Sequence, residues 1–275
     1  QAASDFAIEL GVNIPTGKDS LSMTQKYGDK KVYAPGTVII STVGEVTDFR
    51  KVVVPVLKND PATEIVYVDF SFDKLKLGGS SFAQILNKVG REVPDVKDGQ
   101  YFAEAFKAIQ QLVGEGVVLA GHDISAGGMV TALLEMCFAD NRLGLDIDFS
   151  FLAEKDIVKI LFAENPGVLI QIADKDAKKA AAVFEKVGVA YAFLGKPGKA
   201  GQLNIRKDEA SWMLDIASLR DLWFKTSYLL DRRQSGEEKA LERYKSYKHN
   251  ELKYKFPENF TGRLADLGLD IHRTK

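Results

Sequence analysis

The chain carries a single cysteine, Cys137, which excludes an internal disulfide and any multi-cysteine metal site. Its three histidines, His122, His249 and His272, are too dispersed to suggest a zinc cluster. Charge of one sign is also lacking. The 37 basic and 38 acidic residues leave no bulk positive field, which disfavours wholesale nucleic-acid binding. No apolar run approaches the roughly 18 residues of a membrane span, and no signal peptide is visible. The expectations are a cytoplasmic location, no nucleic-acid partner and no membrane partner. What is present is ordinary globular composition: 275 residues, 45% hydrophobic and 27% charged. That length suits one large or two ordinary domains with real cores. Gln1 is not a methionine, and residues 1–10 read as the end of an amphipathic helix, so the chain is expected to be a piece of something longer.

Three segments follow one another. Residues 1–59 read as strand-dominated and incomplete: 38–46 (VIISTVGEV) is β-rich, 52–57 continues that strand system, and Asn59, Asp60 and Pro61 mark a boundary. Residues 60–215 alternate strands and helices. Strands are expected at 65–70, 117–120, 143–149, 168–173, 189–194 and 202–206. Helices are expected at 82–89, 129–139, 156–162 and 177–187. Phe102, Phe106, Ile109 and Val113 mark one face of a further helix, and Val130, Leu133, Leu134 and Cys137 mark the stripe of another. This succession implies an α/β or α+β domain, with the direction of the strands left open. Residues 216–275 change character: a tryptophan-containing helix at 219–231, a charged, tyrosine-rich stretch at 237–250, and an extended linker.

The most informative stretch is 121–129, GHDISAGGM. A carboxylate, a hydroxyl and two glycines sit where a strand ends and a helix begins. Glycines let backbone approach a ligand closely. A helix start offers free N–H groups and a positive dipole end to an anion. Asp123 is a hard oxygen donor of the kind Mg²⁺ prefers. Together they suggest a magnesium–phosphate site, with Asp123 on the metal and Ser125 on phosphate. The competing reading is that Asp123 or Ser125 only caps the helix and the glycines only relieve sterics.

Two further loops are candidates. GKDSLSM at 17–23 places Lys18, Asp19, Ser20 and Ser22 in a polar loop; it lacks the upstream glycine of a Walker loop, but Lys18 can act as a point charge on phosphate. LGGSS at 77–81 places Gly78, Gly79 and Ser80 in a turn opening a helix, where backbone N–H groups can contact phosphate or the glycines merely serve the turn. His122 reads as a hydrogen-bonded structural residue, Cys137 as a buried small hydrophobe, and Trp212 and Trp223 as packing residues. Glu164 and Asn165, before a buried strand, are explained equally well by a turn or by approach to the site.

Five motifs, GKDSLSM (17–23), LGGSSFAQ (77–84), GHDISAGGMVTALLEMCFA (121–139), LFAENPGVLIQI (161–172) and LRDLWFKTSYLLDRRQ (219–234), occur in the order seen in phosphoribosylformylglycinamidine synthase of the large, single-chain type. The chain resembles the C-terminal part of its synthetase portion, within the aminoimidazole ribonucleotide synthetase-like superfamily. The resemblance implies an aminoimidazole ribonucleotide synthetase-like α/β domain at 60–215. It is preceded by part of a β-rich subdomain at 1–59 and followed by a helical and extended connector at 216–275 toward a glutaminase domain. It implies a glutamine- and ATP-dependent ligase that converts formylglycinamide ribonucleotide to its amidine in de novo purine biosynthesis. It assigns Mg²⁺ to Asp123 and nucleotide, either ATP or a structural ADP, to Lys18, Asp19, Ser20, Ser125, Gly78, Gly79 and Ser80. No catalytic residue is assigned, and the piece is expected to be inactive alone. Its partners would be the remaining synthetase module and the glutaminase domain of the same chain, with dimerisation of the isolated piece through a severed strand edge. Ala126 departs from the family, where many members carry aspartate, so no essential acid is expected there. The alternatives are another ATP-using member of the superfamily, which the 219–275 tail speaks against, and a non-catalytic interaction module.

Overall fold

The computed structural model describes residues 1–18, 24–33, 38–46, 48, 51–140, 142–248, 258–261 and 263–268. Two compact units divide the chain, 1–220 and 221–275. In chain order the first holds α1 (Ala2–Leu10), β1 (Thr24–Tyr27), β2 (Lys30–Tyr33), β3 (Thr63–Asp69), α2 (Ser81–Ile85), α3 (Gly99–Gly114), β4 (Val118–Asp123) and α4 (Gly128–Cys137). It continues with β5 (Leu145–Asp148), α5 (Ile157–Phe162), β6 (Gly167–Ala173), α6 (Ala177–Val187), β7 (Tyr191–Pro197), β8 (Gln202–Lys207) and β9 (Ala210–Asp215). Helix α7 (Ile216–Ser235) runs across the division, and α8 (Glu237–Ser246) follows it.

Strands β3 to β9 form one sheet in the order β4-β6-β3-β7-β5-β8-β9. Every pairing is antiparallel except the parallel pair β5–β8. The sheet is therefore mixed, and the unit is α+β. Side chains alternate across the strands. Ile65 of β3 and Leu169 of β6 face a core completed by Met129, Leu133 and Met136 of α4 and Ile160 of α5. Val66, Val68, Ile170 and Ile172 face the opposite core, completed by Ala105, Ala108 and Leu112 of α3 and Phe184 of α6.

The buried face of α3 keeps most of the stripe read from sequence: Ile109 is buried and Phe102 and Val113 pack against the core, whereas Phe106 is half exposed. Ala105, Ala108 and Leu112 are buried as well. The small residues let α3 approach the sheet, and Phe102 meets Phe6 and Phe70 edge to face. Among the described residues 38–46 no strand forms, and Val38, Ile39 and Val43 are exposed. Strand-prone residues need a partner strand to satisfy their backbone, and among the described residues of this region only the hairpin β1–β2 pairs. The hairpin and β9 are elements that the apolar pattern did not announce. Both tryptophans are more open than packing residues should be, Trp212 at 40% and Trp223 at 50% exposed.

Residues 53–58 position the site. They form no strand but pass the outer side of β4, where the Gly121 N–H donates to the Val54 carbonyl (3.2 Å), and then reach α4, where the Leu57 N–H donates to the Met136 carbonyl (3.0 Å). The buried Gln171 amide anchors the far end: it accepts from Lys58 N–H (2.7 Å) and donates to the Lys58 carbonyl (2.8 Å) and Thr63 Oγ1 (2.7 Å). In the second unit, Phe224 stacks on Tyr247 (4.0 Å) and Tyr228 on Tyr244 (4.9 Å), and Arg243 grips the Asp231 carboxylate through two nitrogens.

Candidate functional site

Asp123 ends β4, the edge strand of the sheet, and its side chain is 72% exposed. β4 is antiparallel to its neighbour, so Asp123 stands at a sheet corner rather than at the switch point of an open parallel sheet. The residue before it is fixed. The His122 ring, 16% exposed, donates from Nδ1 to the Asp123 carbonyl (2.7 Å), and its Nε2 lies 3.0 Å from the Glu135 carboxylate on α4. This is the structural histidine expected from sequence, and it ties the strand end to the following helix.

The loop then turns through residues 124–127. The Ile124 N–H donates to the Gly167 carbonyl (2.8 Å) and the Gly128 N–H to the Ser125 carbonyl (3.0 Å). Gly127 and Gly128 both have positive φ, +91° and +74°. A Cβ on Gly128 would stand 2.6 Å from the Leu161 carbonyl oxygen, so the second glycine is demanded by both backbone angle and space. Helix α4 has no side-chain cap. The capping reading of Asp123 and Ser125 therefore does not hold here. Ser125 and Ala126 are exposed. Among the described residues, the Ser125 hydroxyl and the N–H groups of Ser125 and Ala126 have no hydrogen-bond partner. An exposed carboxylate thus stands two to three residues from three open donors. Beside it lies a groove of about 290 Å³ bordered by Val53, Pro55, Gln110, Gly121, His122 and Asp123.

The turn at 77–81 is differently placed. Gly78 and Gly79 donate to the Glu92 and Val89 carbonyls (2.8 and 2.6 Å). Ser80 is buried and caps α2, accepting from the Ala83 N–H (3.2 Å) and donating to the Leu77 carbonyl (2.6 Å). These N–H groups already have acceptors, so the route by which Gly78, Gly79 and Ser80 were expected to hold phosphate is filled internally. Lys18 is exposed on the extended segment after α1. Asp19, Ser20 and Ser22 lie outside the described residues.

Glu164 serves the turns. Its Oε1 accepts from Gly127 N–H (2.8 Å) and Ser81 N–H (2.7 Å), joining the two glycine turns. Asn165 is structural: buried, it accepts from Lys76 N–H and donates to the Lys74 carbonyl. Asp69, at the end of β3, is another carboxylate near a strand end, but it is fully engaged. It accepts from the Tyr67 and Tyr101 hydroxyls, from the N–H and hydroxyl of Ser71, and from Phe72 N–H. Burial, reinforced by the Asp69 carboxylate, holds the Tyr67 phenol well above its ordinary range and pushes Tyr101 up to about 12.

Burial likewise pushes the Cys137 thiol from 9.0 up to about 12. It is no nucleophile, because the thiolate is the reactive form. In the native protein at pH 8 it is expected to resist a chromogenic disulfide reagent and to react only in denaturant; rapid native labelling would refute its burial. The raised value also means that this residue favours folding below about pH 9 and loses that contribution as pH climbs toward 12.

Residues 65–208, over half the chain, match the family model described as AIR synthase related protein, C-terminal domain. Residues 1–45 match a second model, FGAR-AT PurM_N-like domain. An α+β sheet domain ending a strand on GHDISAGG is thus of the AIR-synthase-related class. Phosphoribosylformylglycinamidine synthase of Homo sapiens is 35% identical over 231 residues, 82% of this chain and 17% of the human protein. A probable chloroplastic/mitochondrial phosphoribosylformylglycinamidine synthase of Arabidopsis thaliana is 36% identical, over 85% of this chain and 17% of its own length. The Drosophila melanogaster enzyme is 33% identical, over 94% and 20%. A solved structure described as T. maritima PurL complexed with FGAR covers 62% of this chain and 30% of that one, with a TM-score of 0.50 and 19% identity, a likeness of fold alone. The chain belongs to the AIR synthase related C-terminal domain family, and its curated relatives are phosphoribosylformylglycinamidine synthases, of whose length it spans 17 to 20%. Among the described residues no helix is long and apolar enough to cross a membrane.

Proposed function

We propose that this chain is part of the synthetase portion of a glutamine- and ATP-dependent phosphoribosylformylglycinamidine synthase, acting in the cytoplasm, and that it contributes a magnesium–nucleotide site. The observation that carries the reading is the exposed Asp123 carboxylate two and three residues from the open donors of Ser125 and Ala126. The donor set fits Mg²⁺ bound with a phosphate. Asp123 is a hard oxygen ligand. Among the described residues no group of three or more His, Cys, Asp or Glu is available to cage a metal. A single carboxylate completed by phosphate oxygens and water is how Mg²⁺ is commonly held.

In that arrangement Asp123 holds the metal, while the Ser125 hydroxyl and the Ser125 and Ala126 N–H groups donate to phosphate oxygens. The ends of the loop are held by His122 on Glu135, by Ile124 N–H on the Gly167 carbonyl and by Gly127 N–H on Glu164. When bound, Mg²⁺ offsets phosphate charge, which either a reacting ATP or a structural ADP requires. Lys18 and Asp19 are proposed as a second contact to nucleotide. The acceptor substrate, the glutamine-derived ammonia and the remaining domains belong to the longer protein, and the chain alone is expected not to turn over.

Titration with Mg·ADP tests this. Wild-type chain should bind, and Asp123→Asn should weaken binding by about tenfold or more without moving the thermal midpoint. Equal affinity in the variant would remove Asp123 from the metal.

A further inference from the structure

We infer that Glu164 is the positioning residue of the loop that carries Asp123 and Ser125. The inference rests on the nucleotide reading above and names a residue from a third element. A single oxygen of Glu164 receives two N–H groups, from Gly127 (2.8 Å) and Ser81 (2.7 Å), so the starts of α4 and α2 are pinned to one atom. Hydrogen bonds to an ionised carboxylate are about twice as strong as neutral ones. The segment around Glu164 reaches the loop elsewhere as well. The Leu161 carbonyl oxygen stands 2.6 Å from where a Gly128 Cβ would go, and the Gly167 carbonyl accepts from Ile124 N–H (2.8 Å). The Phe162 ring stacks on Phe82 of α2 at 4.7 Å.

Residues 161–167 therefore hold both ends of the turn, Ile124 and Gly127–Gly128, and leave its middle open. The middle is Ser125 and Ala126, whose N–H groups have no described acceptor. The carboxylate occupies the Gly127 N–H, which an anion could otherwise share with those of Ser125 and Ala126. Phosphate is thereby directed to Ser125 and Ala126, beside Asp123. A positioning role and a competing role for this carboxylate make opposite predictions. If Glu164 orders the loop, its removal weakens nucleotide binding. If it merely competes with phosphate for Gly127, its removal tightens binding.

The test uses the full 275-residue chain, Mg·ADP titration calorimetry, and amide hydrogen exchange at Gly127 and Ser81. Glu164→Ala should weaken Mg·ADP by about tenfold and speed exchange at both amides. Glu164→Gln, whose amide oxygen accepts the same two N–H groups, should restore affinity to within about threefold and restore protection. A packing residue would show no such rescue pattern. Should the alanine variant fail to fold, Glu164→Asp, one methylene too short to reach both turns, carries the same expectation. Unchanged or tighter binding in a folded Glu164→Ala or Glu164→Asp overturns the proposal. If wild type itself does not bind Mg·ADP, the nucleotide reading falls, and with it the role of Glu164 toward phosphate. Exchange at Gly127 then decides separately whether Glu164 holds the loop, and an unchanged rate refutes that too.

Discussion

Gly128→Ala should lower the unfolding free energy of the first unit by about 3 kcal/mol. Two costs add. The residue has φ +74°, where an L side chain is strained. The new Cβ would also stand 2.6 Å from the Leu161 carbonyl oxygen and 2.7 Å from the Phe162 Cα, both backbone atoms that cannot rotate aside. Gly188→Ala separates the two. Gly188 has nearly the same φ, +70°, and nothing within 4 Å of a Cβ. It should cost only about 1 kcal/mol. Urea unfolding followed by far-UV circular dichroism measures both, with the slope checked for constancy. Equal losses in the two variants would mean that the segment at 161–162 yields freely and that the close approach is not a constraint.

Phe149→Ala is expected to cost about 3–5 kcal/mol, the range for a fully buried aromatic. Phe149 is fully buried in the core beneath α4, and its backbone is held on both sides. Its N–H donates to the Arg206 carbonyl (2.8 Å), and its carbonyl accepts from the buried Lys207 ammonium (3.1 Å). That backbone cannot easily collapse into the cavity, which places the loss toward the upper part of the range. Phe151, two residues later and 77% exposed, is the internal control. Its alanine variant should unfold at nearly the wild-type urea concentration, since surface substitutions usually change stability by no more than about 0.5 kcal/mol. A loss below about 1 kcal/mol for Phe149→Ala would place that ring outside the core.

The contrast between the two phenylalanines also shows what can be read from sequence. Val130, Leu133 and Cys137 were legible as the inner stripe of α4, because large apolar residues recur there at helical spacing. The inner face of α3 was legible in part: Ile109, Phe102 and Val113 lie against the core, but the close approach to the sheet also selects Ala105 and Ala108, which a count of large residues passes over. Strand-prone residues 38–46 mislead for another reason: periodicity reports what a segment could pair with, not whether a partner strand exists. At the candidate site, Asp123 and Ser125 were legible because the carboxylate, the hydroxyl and the glycines are neighbours in sequence. Glu164 was not, because its two hydrogen bonds span 37 and 83 residues and no local pattern records them. The turn at 77–81 looked like the second phosphate contact for the converse reason: its glycines serve local carbonyls at residues 89 and 92, which composition alone does not distinguish from a ligand.

The two margins of the sheet are unlike. Along β4 the outer side is occupied by residues 53–58, whereas no strand among the described residues pairs with the outer side of β9. A strand added from another chain would therefore find unpaired backbone at β9, beside the exposed Trp212 and Met213, sooner than at the β4 margin.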